Sequence, residues 1–199
     1  MIDAIVFDKF ATLTNGLADP ESRMIELFDL DLDRDSIVDV VCGTKFKDFS
    51  SYFSTVLGGL GLDYNKKNIE NLIDIFIEDV SREHLEPEML ELVQHLKDNG
   101  YKLGVLSNIP NPFYDLLDSD GKLDLFNAKV YSYEEGMTKR DDRMFYTMLK
   151  KLDVVPSKVL MIGDSLKSDI ELARRLGMQT IHFQGYVSLI EELIKLGVY

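Results

Sequence analysis

The 199-residue chain has one cysteine, Cys42, and no apolar run long enough to cross a bilayer. A single thiol excludes an internal disulfide, so the fold fits a reducing compartment, and Cys42 reads as a small, partly buried apolar residue. The N-terminus carries Asp3 and Asp8 where a secretory signal would place basic residues. No membrane-spanning segment is expected, and a cytoplasmic protein is. Positive charge is also scarce, with 22 Lys and Arg against 35 Asp and Glu and a formal net charge of -13. A surface of that sign repels phosphate backbones and anionic lipids, which excludes nucleic acid and membranes as partners. An anionic small molecule would have to be held by a local cation or a metal. Internal repeats and low-complexity segments are absent.

What is present suffices for one full core, or for a core with a small insert, since 45% of the side chains are hydrophobic. Ile5-Val6-Phe7 reads as a buried strand that ends in Asp8. Near the other end, Val159-Leu160-Met161-Ile162 runs into Gly163-Asp164-Ser165-Leu166-Lys167-Ser168-Asp169. Two strands that finish in carboxylates point to one acidic pocket at the carboxyl edge of a parallel sheet, where open α/β sheets bind ligands.

Between these strands, Thr14 to Pro20 is turn-rich, and Glu21 to Ser81 contains no convincing strand. Ile69, Leu72, Ile73, Phe76, Ile77 and Val80 fall three and four apart, one apolar face of a helix. Gly58-Gly59-Leu60-Gly61 is the best helix breaker in that stretch. From His84 the pattern alternates. A helix opened by Pro87 stops at Asn99-Gly100 and is followed by a strand over 103–106, a short helix over 111–118 and a strand over 128–131. Then come a helix over 141–152, the strand 159–162, a helix over 168–176, a strand over 180–183 and a helix over 187–196. The expected fold is α/β, a doubly wound parallel-sheet (Rossmann-like) core of residues 1–14 and 84–199, with residues 15–83 inserted as a helical cap.

Four ordered pieces carry a resemblance. They are Phe7-Asp8-Lys9-Phe10-Ala11-Thr12-Leu13, Leu106-Ser107-Asn108, Lys139 after Glu134-Glu135-Gly136, and Gly163-Asp164 with Asp169. Together they resemble the haloacid dehalogenase superfamily of hydrolases, in the form with a cap after the first strand. The resemblance implies that Asp8 is a covalent nucleophile and that Mg²⁺ is held by Asp8, Asp164 and the backbone carbonyl of Phe10, with Asp169 a direct or indirect partner. The residue chemistry agrees. A carboxylate at a strand end attacks phosphorus or carbon to form an intermediate that water hydrolyses, and three clustered carboxylates repel one another unless a cation joins them. Lys139 would be the fixed cation beside Asp8, and Ser107 and Asn108 would donate hydrogen bonds to a substrate oxygen. Taken alone, Lys139-Arg140-Asp141-Asp142 reads as a solvated run and Ser107-Asn108 as turn chemistry.

One departure matters. Phosphatases of this superfamily carry an aspartate two residues after the nucleophile to protonate the leaving oxygen, and here Phe10 stands there. A positioned acid contributes about 10² to 10⁴ in rate, so alkyl phosphates suffer more than acyl or aryl phosphates. Ala11 replaces a usual glycine and Asn15 a frequent aspartate. An aromatic residue at position 10 resembles the 2-haloacid dehalogenases, whose halide leaves unprotonated; Phe10 would then face the substrate. Asp164 stands against that alternative, because those enzymes work without metal, and no halide-binding arginine is evident beyond Arg23 and Arg34. A catalytically weak protein that binds a phosphometabolite or a partner protein is a third reading. Substitutes for the missing acid by chemistry are Lys45, Lys47, Tyr52 and His84. The leading expectation is a Mg²⁺-dependent phosphatase of a small, anionic, phosphorylated metabolite, as a monomer or a homodimer.

Overall fold

Strand β1, Ala4–Phe7, is apolar at every position and buried throughout, as a central strand covered on both faces must be. The structure is a computed structural model and describes residues 1–16, 20–29, 37–38, 41–111 and 122–199. Four further strands are β2 (Lys102–Ser107), β3 (Ala128–Tyr131), β4 (Val159–Gly163) and β5 (Gln179–His182). They form one five-stranded sheet in the order β3-β2-β1-β4-β5, every neighbouring pair parallel. The chain winds outward from β1 through β2 to β3, then returns to the other side of β1 for β4 and β5. That reversal puts the topological switch point between β1 and β4.

Alternate strand residues serve opposite faces. Ile5, Phe7, Leu103, Val105, Leu160 and Ile162 pack with Met89, Leu92, Val93 and Leu96 of helix α4 (Pro87–Asp98) and with Leu189 and Leu193 of helix α7 (Tyr186–Lys195). Ala4, Val6, Leu106 and Met161 pack on the other face with Met144, Phe145, Met148 and Leu149 of helix α5 (Asp142–Leu152) and with Leu172 and Ala173 of the short helix α6 (Leu172–Arg175). Helices on both faces are what parallel strands with right-handed crossovers require.

The segment between β1 and α4 contains the helices α1 (Pro20–Phe28), α2 (Phe49–Gly59) and α3 (Lys66–Arg82). Reciprocal capping boxes start two of them, Asp48 with Ser51 on α2 and Asn65 with Asn68 on α3, each satisfying two otherwise orphaned amides. This insert has its own apolar cluster, including Met24, Val41, Phe53, Leu57, Ile69, Leu72, Phe76 and Val80. Cys42 lies buried in it. Ile77 departs from the expected stripe and is exposed. The two crossings into and out of the insert are tied together. Thr14 and Leu85 form an antiparallel bridge, Glu86 N–H donates to Leu13 C=O at 3.0 Å, and Asn15 N–H donates to His84 C=O at 3.2 Å.

Boundary differences are small and local. The last strand begins at Gln179 rather than Thr180, and α4 starts at Pro87 as its fixed φ favours. The expected helix over 168–176 starts earlier and is π-helical over Leu166–Glu171 before it becomes α6. Beyond Asn111, the short helix expected over 111–118 lies outside the described residues, as do Arg34 and the side chain of Arg23. Among the described residues no helix is long and apolar enough to cross a membrane.

Candidate active site

Parallel register places the chemistry at one edge. Phe7 pairs with Val105 and with Ile162, so Asp8, Ser107 and Asp164 all emerge at the carboxyl ends of adjacent strands. Asp8 N–H donates to Ile162 C=O at 2.9 Å, extending the ladder by one residue and fixing the carboxylate at the sheet edge. The chain then turns tightly, with Lys9 C=O accepting from the N–H groups of Leu13 at 2.9 Å and Thr14 at 3.0 Å. Ala11 holds φ of 53° in that turn, a left-handed conformation that explains why glycine is usual there.

Lys139 reaches the same point from the far end of β3. The helical turn Ser132–Glu135 stops at Gly136, whose φ of 67° reverses the chain toward Lys139. Lys139 N–H donates to Asn108 Oδ1 at 2.8 Å, which orients the backbone there. The ammonium Nζ lies 2.6 Å from Asp8 Oδ1 and 2.6 Å from Asp169 Oδ1. All three side chains are buried, Lys139 being only 3% exposed, so the reading of residues 139–142 as a wholly solvated run fails at its first member.

Asp169 arrives through the π-helical segment. Its Oδ2 accepts Ser165 N–H at 3.1 Å, and Ile170 N–H reaches back to Ser165 C=O at 3.3 Å, the wide-turn pattern often found beside functional sites. Asp164 is exposed, and its carbonyl is 2.8 Å from His182 Nε2 at the end of β5. Carboxylate oxygens of Asp8, Asp164 and Asp169 lie within 4.8 Å of one another.

The electrostatics follow from three carboxylates around one ammonium. Burial raises Asp8 above the usual carboxylate range; Lys139 opposes this and Asp164 adds to it. Asp169 is pushed up to about 6, again by burial first, with Lys139 lowering and Asp8 raising it. Burial alone would lower Lys139, but Asp169 and Asp8 overrule it and hold the ammonium charged well above the neutral range. The excess negative charge is what a hard divalent cation with oxygen ligands would neutralise, so the residues present fit Mg²⁺.

The remaining expected residues are distributed as follows. Ser107 is fully buried at the end of β2, its hydroxyl only weakly engaged by Asn108 C=O at 3.5 Å. Asn108 spends its Oδ1 on Lys139, which leaves Nδ2 as its donor. Phe10 packs against both the core cluster and the insert cluster, and the buried Lys9 Nζ lies 4.8 Å from its ring centroid. Tyr52 is buried in the insert, in edge contact with Phe46 and Phe53, while His84 is exposed at the crossing and Lys45 and Lys47 are exposed on either side of Phe46. Asn111 was not singled out by its sequence context; its side chain bonds both backbone groups of Phe46, 65 residues away.

Known proteins resemble this chain in sequence and in fold. A family model described as haloacid dehalogenase-like hydrolase matches residues 2–177. A glyceraldehyde 3-phosphate phosphatase of Methanopyrus kandleri is 27% identical over 198 residues, covering 92% of this chain and 84% of that protein. A protein of the same name from Pyrococcus furiosus is 30% identical over 148 residues, 68% of this chain and 58% of its own length. The solved structure of a predicted haloacid dehalogenase-like family hydrolase from Porphyromonas gingivalis superposes with a TM-score of 0.69 at 18% identity over 98% of both chains, a likeness of fold. With the sheet, its switch point and the matched span in agreement, the chain belongs to the haloacid dehalogenase-like hydrolases.

Proposed function

We propose that the protein is a Mg²⁺-dependent phosphatase of a small phosphorylated metabolite, acting through an aspartyl-phosphate at Asp8. The observation that carries this reading is the Lys139 ammonium, 2.6 Å from both Asp8 and Asp169 inside a carboxylate group of three. The phosphatase names of the relatives from Methanopyrus kandleri and Pyrococcus furiosus support it.

An oxygen of Asp8 attacks phosphorus, the bond to the leaving oxygen breaks, and the departing alkoxide or phenoxide takes a proton. Water then attacks the acyl phosphate at phosphorus, releasing inorganic phosphate and restoring the Asp8 carboxylate. Lys139 favours the ionised form of Asp8 against burial, orients it and offsets charge on the transferring group, and Ser107 Oγ and Asn108 Nδ2 hold its oxygens. Asp8, Asp164, Asp169 and the Phe10 carbonyl would hold Mg²⁺, which supplies positive charge against the phosphoryl oxygens when bound. Residues 15–83 serve as the cap that excludes water and selects the substrate. With Phe10 where an acid is usual, the favoured substrates are those whose leaving groups need little protonation.

The test is a turnover screen with and without Mg²⁺ over alkyl, aryl and acyl phosphates and short 2-haloacids. Metal-dependent release of phosphate, abolished in Asp8→Asn and weakened in its Mg²⁺ response in Asp164→Asn, is the expected result. Metal-independent halide release would replace this reading with dehalogenation, and an unimpaired Asp8→Asn enzyme would end the covalent scheme.

A further inference from the structure

Three of the four residues that leave β2, Asn108, Ile109 and Asn111, make hydrogen bonds to three different parts of the molecule. Asn108 Oδ1 accepts the backbone N–H of Lys139 at 2.8 Å. Ile109 is clasped by Ser132 at the end of β3. Its N–H donates to Ser132 Oγ at 2.9 Å, and its C=O accepts from the same hydroxyl at 3.2 Å. Asn111 takes the insert, with its Oδ1 accepting Phe46 N–H at 2.5 Å and its Nδ2 donating to Phe46 C=O at 2.6 Å.

That last pair is unusual in form. One carboxamide satisfies both backbone groups of a single residue, as a neighbouring strand would, and it does so across the junction between insert and core. Phe46 meanwhile buries its ring in the insert, edge-on to Tyr52 at 5.2 Å. Its backbone is therefore held by the core and its side chain by the insert. Only Ile109 and Pro110 separate Asn111 from Asn108, and Ser132 fixes the first of them. A short, hydrogen-bonded segment thus joins the docking point of the insert to the backbone of Lys139.

Resting on the phosphatase reading above, we infer that Asn111 is a positioning residue that couples docking of the insert to placement of Lys139. When the insert is seated, both polar ends of Asn111 are engaged and the segment 107–111 is pinned at each end. When the insert swings away, Asn111 loses both partners and the segment keeps only Ser132 and the Asn108–Lys139 bond. Asn108 then holds Lys139 N–H less firmly, and the ammonium loses its short contacts with Asp8 and Asp169. A shift of about 1 Å in a positioned group can cost about a hundredfold in rate. The phosphoryl site is therefore complete only when the insert covers it. The physical warrant is a contiguous chain of hydrogen bonds with a discrete docked arrangement, and coupling is what the experiment measures.

The experiment is amide hydrogen exchange on the full chain, read by mass spectrometry over segments 43–49 and 136–141, for wild type, Asn108→Ala, Asn111→Ala and the double variant. Asn111→Ala is expected to raise exchange severalfold in both segments. Asn108→Ala should raise it in 136–141, and the double variant should exceed Asn108→Ala little there, because both act on one path. Unchanged exchange in 136–141 on Asn111→Ala would reduce Asn111 to an anchor and overturn the inference, as would unchanged exchange in 43–49. Should Asn111→Ala fail to fold, Asn111→Asp keeps an acceptor for Phe46 N–H, removes the donor to its carbonyl and gives the same readout. On any phosphate ester that the wild type turns over, Asn111→Ala should lower kcat about tenfold with the Mg²⁺ requirement unaltered. Absence of turnover in the wild type would count against the phosphatase reading and leave the exchange result standing on its own.

Discussion

Asp169 packs directly on the backbone of Gly163, so closely that a Cβ at position 163 would sit 2.6 Å from its Cβ and Cγ. The glycine before Asp164 is thus a clearance for another carboxylate. Gly163→Ala must push Asp169 away from Lys139 or strain β4, at a cost of about 1–3 kcal/mol. The expected outcome is a lowered urea midpoint together with weakened Mg²⁺ binding by calorimetry. Wild-type affinity for the metal in a stably folded variant would show that Asp169 has no part in holding it.

Lys139 contacts both Asp8 and Asp169. Replacing it with methionine leaves two buried carboxylates without their cation, which typically costs about 3–5 kcal/mol. Lys139→Met should therefore lose most of its stability margin in urea unfolding as well as its turnover. Adding Asp8→Asn to Lys139→Met should return part of that stability, since one of the stranded charges is gone. If the double variant is no more stable than Lys139→Met, the ion pair is not what holds this region.

Stability of the metal-free protein should fall as pH rises through the window between 3.8 and about 6. The sign follows from Asp169. Its folded pKa is raised, so the unfolded chain releases the proton first and deprotonation favours unfolding across that interval. Asp8 is shifted in the same direction, whereas the exposed Asp48 and the half-buried Asp141 are lowered and act below the window. Lys139, held above its ordinary value, contributes evenly through the neutral range. Thermal midpoints from pH 4 to 7 in chelator should decline more steeply for wild type than for Asp169→Asn, and saturating Mg²⁺ should flatten the wild-type slope. Parallel slopes for the two proteins would remove Asp169 as the cause.

Phe10 sits where the core and insert clusters meet, in the position of the absent acid. Phe10→Asp is expected to raise turnover of alkyl phosphates by about tenfold or more, with little gain on aryl phosphates, and to lower stability through the lost packing. The ratio of alkyl to aryl rates is the measurement. An unchanged ratio would place the proton donor elsewhere.

Much of the fold was legible because its signals are local. β1 and β4 read as strands since a sheet covered on both faces makes every position apolar, and α4 and α5 read as helices from their buried stripes. Asp8 and Asp164 were legible as strand-end carboxylates for the same reason. Ile77 was misread because periodicity marks a face without saying how much of that face has something to cover it. The π-helical course of Leu166–Glu171 left no periodic signature over six residues.

The order of apolar and polar residues determined the alternating α/β architecture, the helical character of the insert, and the strand ends on which carboxylates would stand. All of these depend on neighbours within one or two turns of chain. Only the tertiary structure decided that Lys139 turns inward between Asp8 and Asp169, that Asn108 spends its carbonyl on the backbone of Lys139, and that Asn111 grips Phe46. Those contacts join residues 30 to 131 positions apart, and their geometry is set by sheet order and by how the insert seats, which no local pattern encodes.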